Sequence, residues 1–212
     1  VVEDAVTALG ILRARPVVDP DRVFLLGHSL GAMLAPDIAL RDGRVAGVVV
    51  MAAPLRPFME VLRSQLEYVG GLQRSANPQA AAQVDSLVAE LDRIRTAGMA
   101  PGESFLGASA AYWRELGEVD PLGAARRLPC PILVLQGGRD YQSTPEDLEL
   151  WREGLEGRGG ATTRLYPALN HLFAPGEGTA TPEEYSATVK HVDPAVIADR
   201  VRWIRGEGGQ GA

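Results

Sequence analysis

The sequence has few of the residues that bind metals or form disulfides. Its 212 residues include one cysteine, Cys130, and three histidines. One cysteine excludes an internal disulfide, and no cluster of histidine and cysteine has the spacing of metal ligands. The sequence therefore predicts neither a metal ion nor an organic cofactor.

Long apolar runs and basic stretches are also missing. No apolar run approaches the ~18–20 residues that a membrane-spanning helix needs. The formal charge is −6, with 21 basic and 27 acidic residues, and the arginines are scattered among acids, so nucleic acid is a poor candidate partner. Hydrophobic residues make up 46% and charged residues 23%, as in globular proteins. Oligomeric state and compartment stay open.

Four short apolar runs have the length of β-strands. The first three are continuous rather than alternating, which is typical of parallel strands covered on both faces, and helical patterns lie between them. The sequence thus predicts an α/β fold with a mainly parallel sheet of about four strands flanked by helices. The predicted strands cover residues 22–26, 45–51, 131–136 and 162–167.

Too many residues separate the second and third runs for one crossover helix. We therefore expect a helical insert over 54–119, a cap on a core formed by 1–53 and 120–206, and a disordered tail over 207–212. The chain opens inside an amphipathic helix without a capping residue, which favours an N-terminally incomplete domain.

A candidate nucleophile follows the first strand, in Gly27-His28-Ser29-Leu30-Gly31. The pattern G-x-S-x-G is weak by itself, but here a strand ends at the first glycine and a helix begins after the serine, as a sharp nucleophile turn requires. Ser29 would then lie at a helix N-terminus, where developing negative charge is favoured. The backbone amide of Leu30 would be one oxyanion donor.

A serine nucleophile needs a base and a group that orients the base. His171 follows the fourth strand and is the preferred base, since His28 should point away from its neighbour Ser29 and His191 lies where a helix starts. Asp140 follows the third strand on a glycine-rich turn and is the preferred acid. The other acids considered each fall at the start of a helix: Glu146, Asp147 and Asp120.

With these residues the chain resembles the α/β-hydrolase superfamily. Its segments "GHSLGAMLAP", "ILVLQGGRDYQ", "LNHLF" and "HVDPAVIADRVRWI" are similar to the esterase and dienelactone-hydrolase-like branch related to prolyl-oligopeptidase catalytic domains. The resemblance implies Ser29 as nucleophile, Asp140 as acid and His171 as base. The family's first strands, and the loop that donates its second oxyanion amide, have no counterpart in this chain.

The leading hypothesis is a serine hydrolase that cleaves small-molecule carboxylic esters through an acyl-enzyme. A serine peptidase of the prolyl-oligopeptidase-like type would use the same groups, and a non-catalytic protein or inactive fragment of this fold stays open as well. We expect substrate contacts from His28 and, in the insert, from Tyr112 and Trp113, although an aromatic pair on a helix also suits a core.

Overall fold

The computed structural model describes residues 1–186 and 191–207. Eight α-helices and six strands, with a short 3-10 helix at Pro182–Tyr185, make up this part of the chain. In chain order they are α1 (Val2–Arg13), β1 (Phe24–His28), α2 (Leu30–Asp42), β2 (Gly47–Met51), α3 (Phe58–Gln73), α4 (Pro78–Ala97), β3 (Ser104–Phe105), β4 (Ala108–Ser109), α5 (Ala110–Gly117), α6 (Pro121–Arg127), β5 (Ile132–Gly137), α7 (Pro145–Gly154), β6 (Ala161–Tyr166) and α8 (Pro194–Ile204).

The main sheet has four parallel strands in the order β1-β2-β5-β6. The predicted α/β fold is therefore confirmed, and each strand lies within two residues of its expected position. Strands β3 and β4 form a separate antiparallel pair. Strand β1 lies at the edge of this sheet, and its Leu26 is 46% exposed.

The two central strands explain why the apolar runs are continuous. Every residue of β2 and β5 is buried, and successive side chains of a strand point to opposite faces. Val48 and Val134 pack on one side in a cluster with helical residues such as Trp151. Val49 and Leu135 pack on the other side in a second cluster. Both faces are thus covered, as the sequence predicted.

Helix starts follow the capping signals in the sequence. The side chains of Asn77, Asp120 and Asp193 accept hydrogen bonds from backbone amides in the first turns of α4, α6 and α8, at 3.1, 2.8 and 2.8 Å. A proline follows each cap, where its missing N–H costs nothing. At the other end of α2, Gly43 has φ 68°, the left-handed conformation that ends many helices.

The described residues divide into two compact units. The first comprises Val1–Leu55, Asp120–Gly178 and 191–207, and it contains the parallel sheet. The second comprises Arg56–Val119 and 179–186, and it contains α3, α4 and α5. Residues 179–186 fall within the core range expected from the sequence, but they group with the second unit, where Tyr68 of α3 donates a hydrogen bond to the carbonyl of Ala180 at 2.7 Å. Of the expected tail, 208–212 lie outside the described residues.

Candidate active site

The turn between β1 and α2 holds Ser29 in a strained backbone conformation. Ser29 has φ 54° and ψ −124°, which is sparsely populated for residues with a side chain. Its side chain makes no capping hydrogen bond to α2. The serine therefore occupies the N-cap position without serving as a cap, which leaves its hydroxyl free of the helix.

Close approach of the backbone explains why residue 27 of the motif is glycine, but it does not explain Gly31. A Cβ on Gly27 would lie 2.3 Å from the carbonyl oxygen of Gly31 and 2.7 Å from Cα of Ala32. These are backbone atoms of the next helix, which cannot rotate away. A Cβ on Gly31 would meet no atom within 4 Å. Of the two glycines of the motif, only Gly27 is therefore required by steric contact.

The backbone amides at the turn differ in whether they have a partner. The Ser29 amide donates to the carbonyl of Met51 at 2.9 Å, and Ala32 and Met33 donate to the carbonyl of Ser29. Among the residues that the structure describes, the amide of Leu30 has no hydrogen-bond acceptor. It lies at the positive end of the α2 dipole, so it can donate to an oxyanion formed at Ser29.

The Asp140 carboxylate is buried and accepts hydrogen bonds on both oxygens. Its side chain has no exposed surface. Oδ1 accepts from the amides of Gln142 at 2.8 Å and Ser143 at 3.0 Å. Oδ2 accepts from Nε2 of Gln136 at 3.1 Å and from Nδ1 of His171 at 2.7 Å. Four donors compensate the cost of burying this charge and fix the plane of the carboxylate.

His171 is oriented by this carboxylate. Because an ionised carboxylate only accepts hydrogen bonds, Nδ1 of His171 carries the proton of this bond, and in the corresponding tautomer of imidazole Nε2 is an acceptor. The loop around it is tied by the buried Asn170, whose Oδ1 accepts from the amides of Leu172 at 3.0 Å and Ala174 at 3.2 Å. The sequence thus places Asp140 and His171 on separate loops, and the fold joins them through this hydrogen bond.

These two loops also contact each other through their backbones. The amide of Arg139 donates to the carbonyl of Leu169 at 2.9 Å. A Cβ on Gly137 would lie 2.6 Å from the same carbonyl oxygen and 2.7 Å from that of Asn170. Glycine is therefore required for this approach, which sets the distance between the Asp140 turn and the His171 loop.

His28 faces the loop of His171. Its Nε2 donates to the backbone carbonyl of His171 at 2.8 Å, and the two rings lie 4.7 Å apart between centroids. Burial lowers the pKa of His28, and the nearby His171 lowers it further, whereas the hydrogen bond to that carbonyl and the charge of Asp140 raise it. The sequence indicated only that the ring turns away from Ser29. A substrate contact by His28 stays a prediction.

The other candidate acids, Asp147 and Asp120, and the third histidine, His191, make different contacts from those of Asp140 and His171. Asp147 is fully buried, and its carboxylate accepts from the amides of Leu55 at 2.9 Å and Thr144 at 3.0 Å. Asp120 caps α6, and His191 is exposed near the start of α8. None of these hydrogen bonds joins Asp147 or Asp120 to His171. Both acids lie at the start of a helix, as the sequence predicts.

The two aromatic candidates lie in the second unit. Trp113 stacks on Phe58 with 6.0 Å between ring centroids, and its indole N–H donates to the carbonyl of Phe105 at 3.1 Å. Tyr112 is 41% exposed. Trp113 is therefore half-buried against the apolar cluster of that unit, and a substrate contact by Tyr112 or Trp113 stays a prediction.

Gln136 is a site residue that the sequence analysis did not single out. It is 2% exposed, and its Nε2 donates to the carbonyl of Ser143 at 2.6 Å as well as to Asp140. A polar side chain inside the buried run "ILVLQ" must find partners, because burial of an unpaired amide is costly. That single polar residue was the signal that could have identified it.

The described residues contain no group of three or more histidine, cysteine, aspartate or glutamate side chains arranged to hold a metal ion. Of the described helices, none is both long and apolar enough to cross a membrane.

Comparisons with known proteins give the family. Residues 1–188 match the Alpha/beta hydrolase family. Esterase EstD of Thermotoga maritima is 43% identical over 204 residues, which are 96% of this chain and 47% of the relative. The chain spans about half the length of the curated relatives it matches.

Solved structures of low sequence identity share the fold. An acetyl xylan esterase from Paenibacillus sp. R4 aligns with a TM-score of 0.56 at 19% identity, over 97% of this chain and 51% of that one. A monoacylglycerol lipase from Paleococcus ferrophilus aligns with a TM-score of 0.51 at 18% identity, over 98% of this chain and 76% of that one. Because the match to the alpha/beta hydrolase family covers residues 1–188, most of its length, this chain belongs to that family.

Proposed function

We propose that this protein hydrolyses carboxylic esters by covalent catalysis, with Ser29 as nucleophile, His171 as general base and Asp140 as the residue that orients the base. The observation that carries the proposal is the buried hydrogen bond from Nδ1 of His171 to Asp140, 2.7 Å long. It selects the tautomer in which Nε2 can take a proton. The name esterase of the 43% identical Thermotoga relative supports the same class of substrate.

In the acylation step, Oγ of Ser29 attacks the acyl carbonyl while Nε2 of His171 takes the hydroxyl proton. The carbonyl π electrons move to oxygen, and the amide of Leu30 donates a hydrogen bond to this oxyanion. When the intermediate collapses, the bond to the alcohol oxygen breaks and His171 gives its proton to that oxygen. The alcohol leaves, and the acyl group stays on Ser29.

Deacylation repeats these steps with water. His171 takes a proton from a water molecule as its oxygen attacks the acyl carbon, and the new intermediate expels Oγ of Ser29. The proton held by His171 returns to Oγ, and the carboxylic acid leaves. Throughout both steps Asp140 stays ionised and stabilises the protonated His171 ring.

The test is fluorophosphonate labelling and p-nitrophenyl acetate hydrolysis by the full-length protein and its S29A variant. Loss of the hydroxyl should abolish labelling and lower kcat/KM by about 10⁴-fold or more. S86A is the matched control, because Ser86 is an exposed serine of α4 that bonds its own helix at the carbonyl of Ala82. Labelling of S29A at the level of the unsubstituted protein would contradict the proposal.

A second measurement compares esters with amides. We expect kcat/KM for p-nitrophenyl acetate to exceed that for aminoacyl p-nitroanilides. Equal efficiency on the anilides would replace the esterase proposal by a peptidase that uses the same three residues.

A further inference from the structure

We propose that His28 is a positioning residue that fixes the backbone of the His171 loop relative to the Ser29 turn. This inference rests on the proposed function, since it concerns the alignment of base and nucleophile. Its motivation is the bond from Nε2 of His28 to the carbonyl of His171, 2.8 Å long. His28 directly precedes Ser29, so this one bond connects the nucleophile turn with the base.

The protonation state of His28 follows from its partner. A carbonyl oxygen only accepts, so Nε2 of His28 carries a proton and donates it. The titratable groups that act on this ring are His171 and Asp140, and burial is the strongest influence on its pKa, which it lowers. The ring is therefore neutral at pH 7 and serves as a fixed donor rather than as a second base.

Two further sets of hydrogen bonds shape the His171 loop. The amide of Asp193, at the start of α8, donates to the carbonyl of Phe173 at 2.9 Å. Asn170 closes the loop on itself. These bonds give the loop its shape, including a φ of 56° at Phe173, but neither of them reaches the turn that carries Ser29.

The ring of His28 also packs within the loop that it holds. Its centroid lies 4.7 Å from that of His171 and 6.4 Å from that of Phe173. Loss of the donor would leave the carbonyl of His171 without this partner, and the loop could shift against the turn. A displacement of about 1 Å at reacting groups lowers rates by about 10²-fold.

The experiment compares three substitutions at His28. H28F keeps an aromatic ring but has no donor, H28Q carries an amide N–H near the position of Nε2, and H28N is too short to reach the carbonyl. On p-nitrophenyl acetate we expect kcat to fall by about 10- to 100-fold in H28F and H28N, with KM changed by less than about threefold. H28Q should recover at least about a third of kcat.

A second readout follows the position of the base without any turnover. In protein labelled with ¹⁵N-histidine, NMR measures the exchange with water of the proton on Nδ1 of His171. We expect exchange at least about tenfold faster in H28F and H28N, and close to the unsubstituted rate in H28Q, because a fixed loop protects the bond to Asp140.

The outcomes separate this inference from the proposed function. Unchanged kcat and unchanged Nδ1 exchange in H28F and H28N would overturn the role of His28 while Ser29-dependent hydrolysis stands. If S29A hydrolyses esters normally, the nucleophile assignment fails, and Nδ1 exchange alone decides the role of His28. If H28F does not fold, the comparison of H28N with H28Q decides it, and equal values in these two would overturn the inference.

Discussion

Replacement of Asp140 by asparagine changes one atom in a site where both carboxylate oxygens are in use. Oδ1 accepts from the two backbone amides of Gln142 and Ser143, and Oδ2 accepts from Gln136 and His171. An asparagine side chain can present its oxygen to only one of these two pairs. Its NH₂ group must then face donors on the other side.

The backbone pair decides the orientation. If the NH₂ group faced the amides of Gln142 and Ser143, both backbone N–H groups would lose this acceptor, at about 1–3 kcal/mol for the buried Ser143 amide and less for the half-buried Gln142 amide. If it faces the other side instead, Gln136 keeps its bonds to the carbonyls of Ser143 at 2.6 Å and Gly137 at 3.2 Å. His171 avoids the clash by moving its proton from Nδ1 to Nε2. We therefore expect the second orientation.

With the proton on Nε2, His171 cannot take one from Ser29. We expect kcat of D140N to fall by about 10³- to 10⁴-fold, a barrier increase of ~4–5.5 kcal/mol. The assay is p-nitrophenyl acetate hydrolysis at pH 7, with circular dichroism to establish that the variant is folded. Folded D140N with more than about a tenth of the original kcat would refute this reasoning.

D147N is the matched control for a buried carboxylate. Asp147 is as buried as Asp140, but its oxygens accept from the amides of Leu55 and Thr144. Its replacement should lower the free energy of unfolding by about 1–3 kcal/mol and leave kcat within about threefold. A loss of kcat as large as that of D140N would show that burial of charge, rather than the bond to His171, accounts for the effect.

The remaining predictions concern stability. G27A should lower the free energy of unfolding by about 3 kcal/mol or prevent folding, because its Cβ would overlap backbone atoms of α2. G31A has open space around the new Cβ, so its free energy of unfolding should rise by up to about 1 kcal/mol from helix propensity. Urea unfolding measures both variants, and equal destabilisation would contradict the steric argument. The partly buried pair of Arg13 and Asp42, bonded at 2.5 and 2.6 Å, should make D42N less stable by about 1–3 kcal/mol at pH 7. Hydrogen bonds from Arg13 lower the pKa of Asp42 in the folded protein. The stabilisation by this pair is therefore complete above the pKa of an unfolded carboxyl group, about 3.9, and is lost as pH falls through the lower pKa of the folded state. Urea midpoints from pH 5 to pH 2 should therefore fall more steeply for the unsubstituted protein than for D42N, and parallel curves would exclude the pair as the cause.

Local signals in the sequence were sufficient for the four strands of the main sheet and for the helix starts, but not for the short pair of β3 and β4. The run around Val48 to Val50 is continuous because both faces of β2 are covered, and Asn77 and Asp193 each precede a proline at a helix start. Periodicity and capping act between residues a few positions apart, so they can be read from a single chain. The grouping of 179–186 with the second unit depends on a contact from Tyr68 to Ala180, which has no local signature.

For the candidate site, the sequence by itself determined the order of Ser29, Asp140 and His171 along the chain and the strand that precedes each. Tertiary structure decided how they are held. The bond between His171 and Asp140, and that between His28 and the His171 carbonyl, join residues 31 and 143 positions apart. Such bonds form only when parallel strands bring their carboxyl ends to one edge of the sheet. Composition and spacing do not specify which side chain then meets which atom, so the partner of His28 was not predicted.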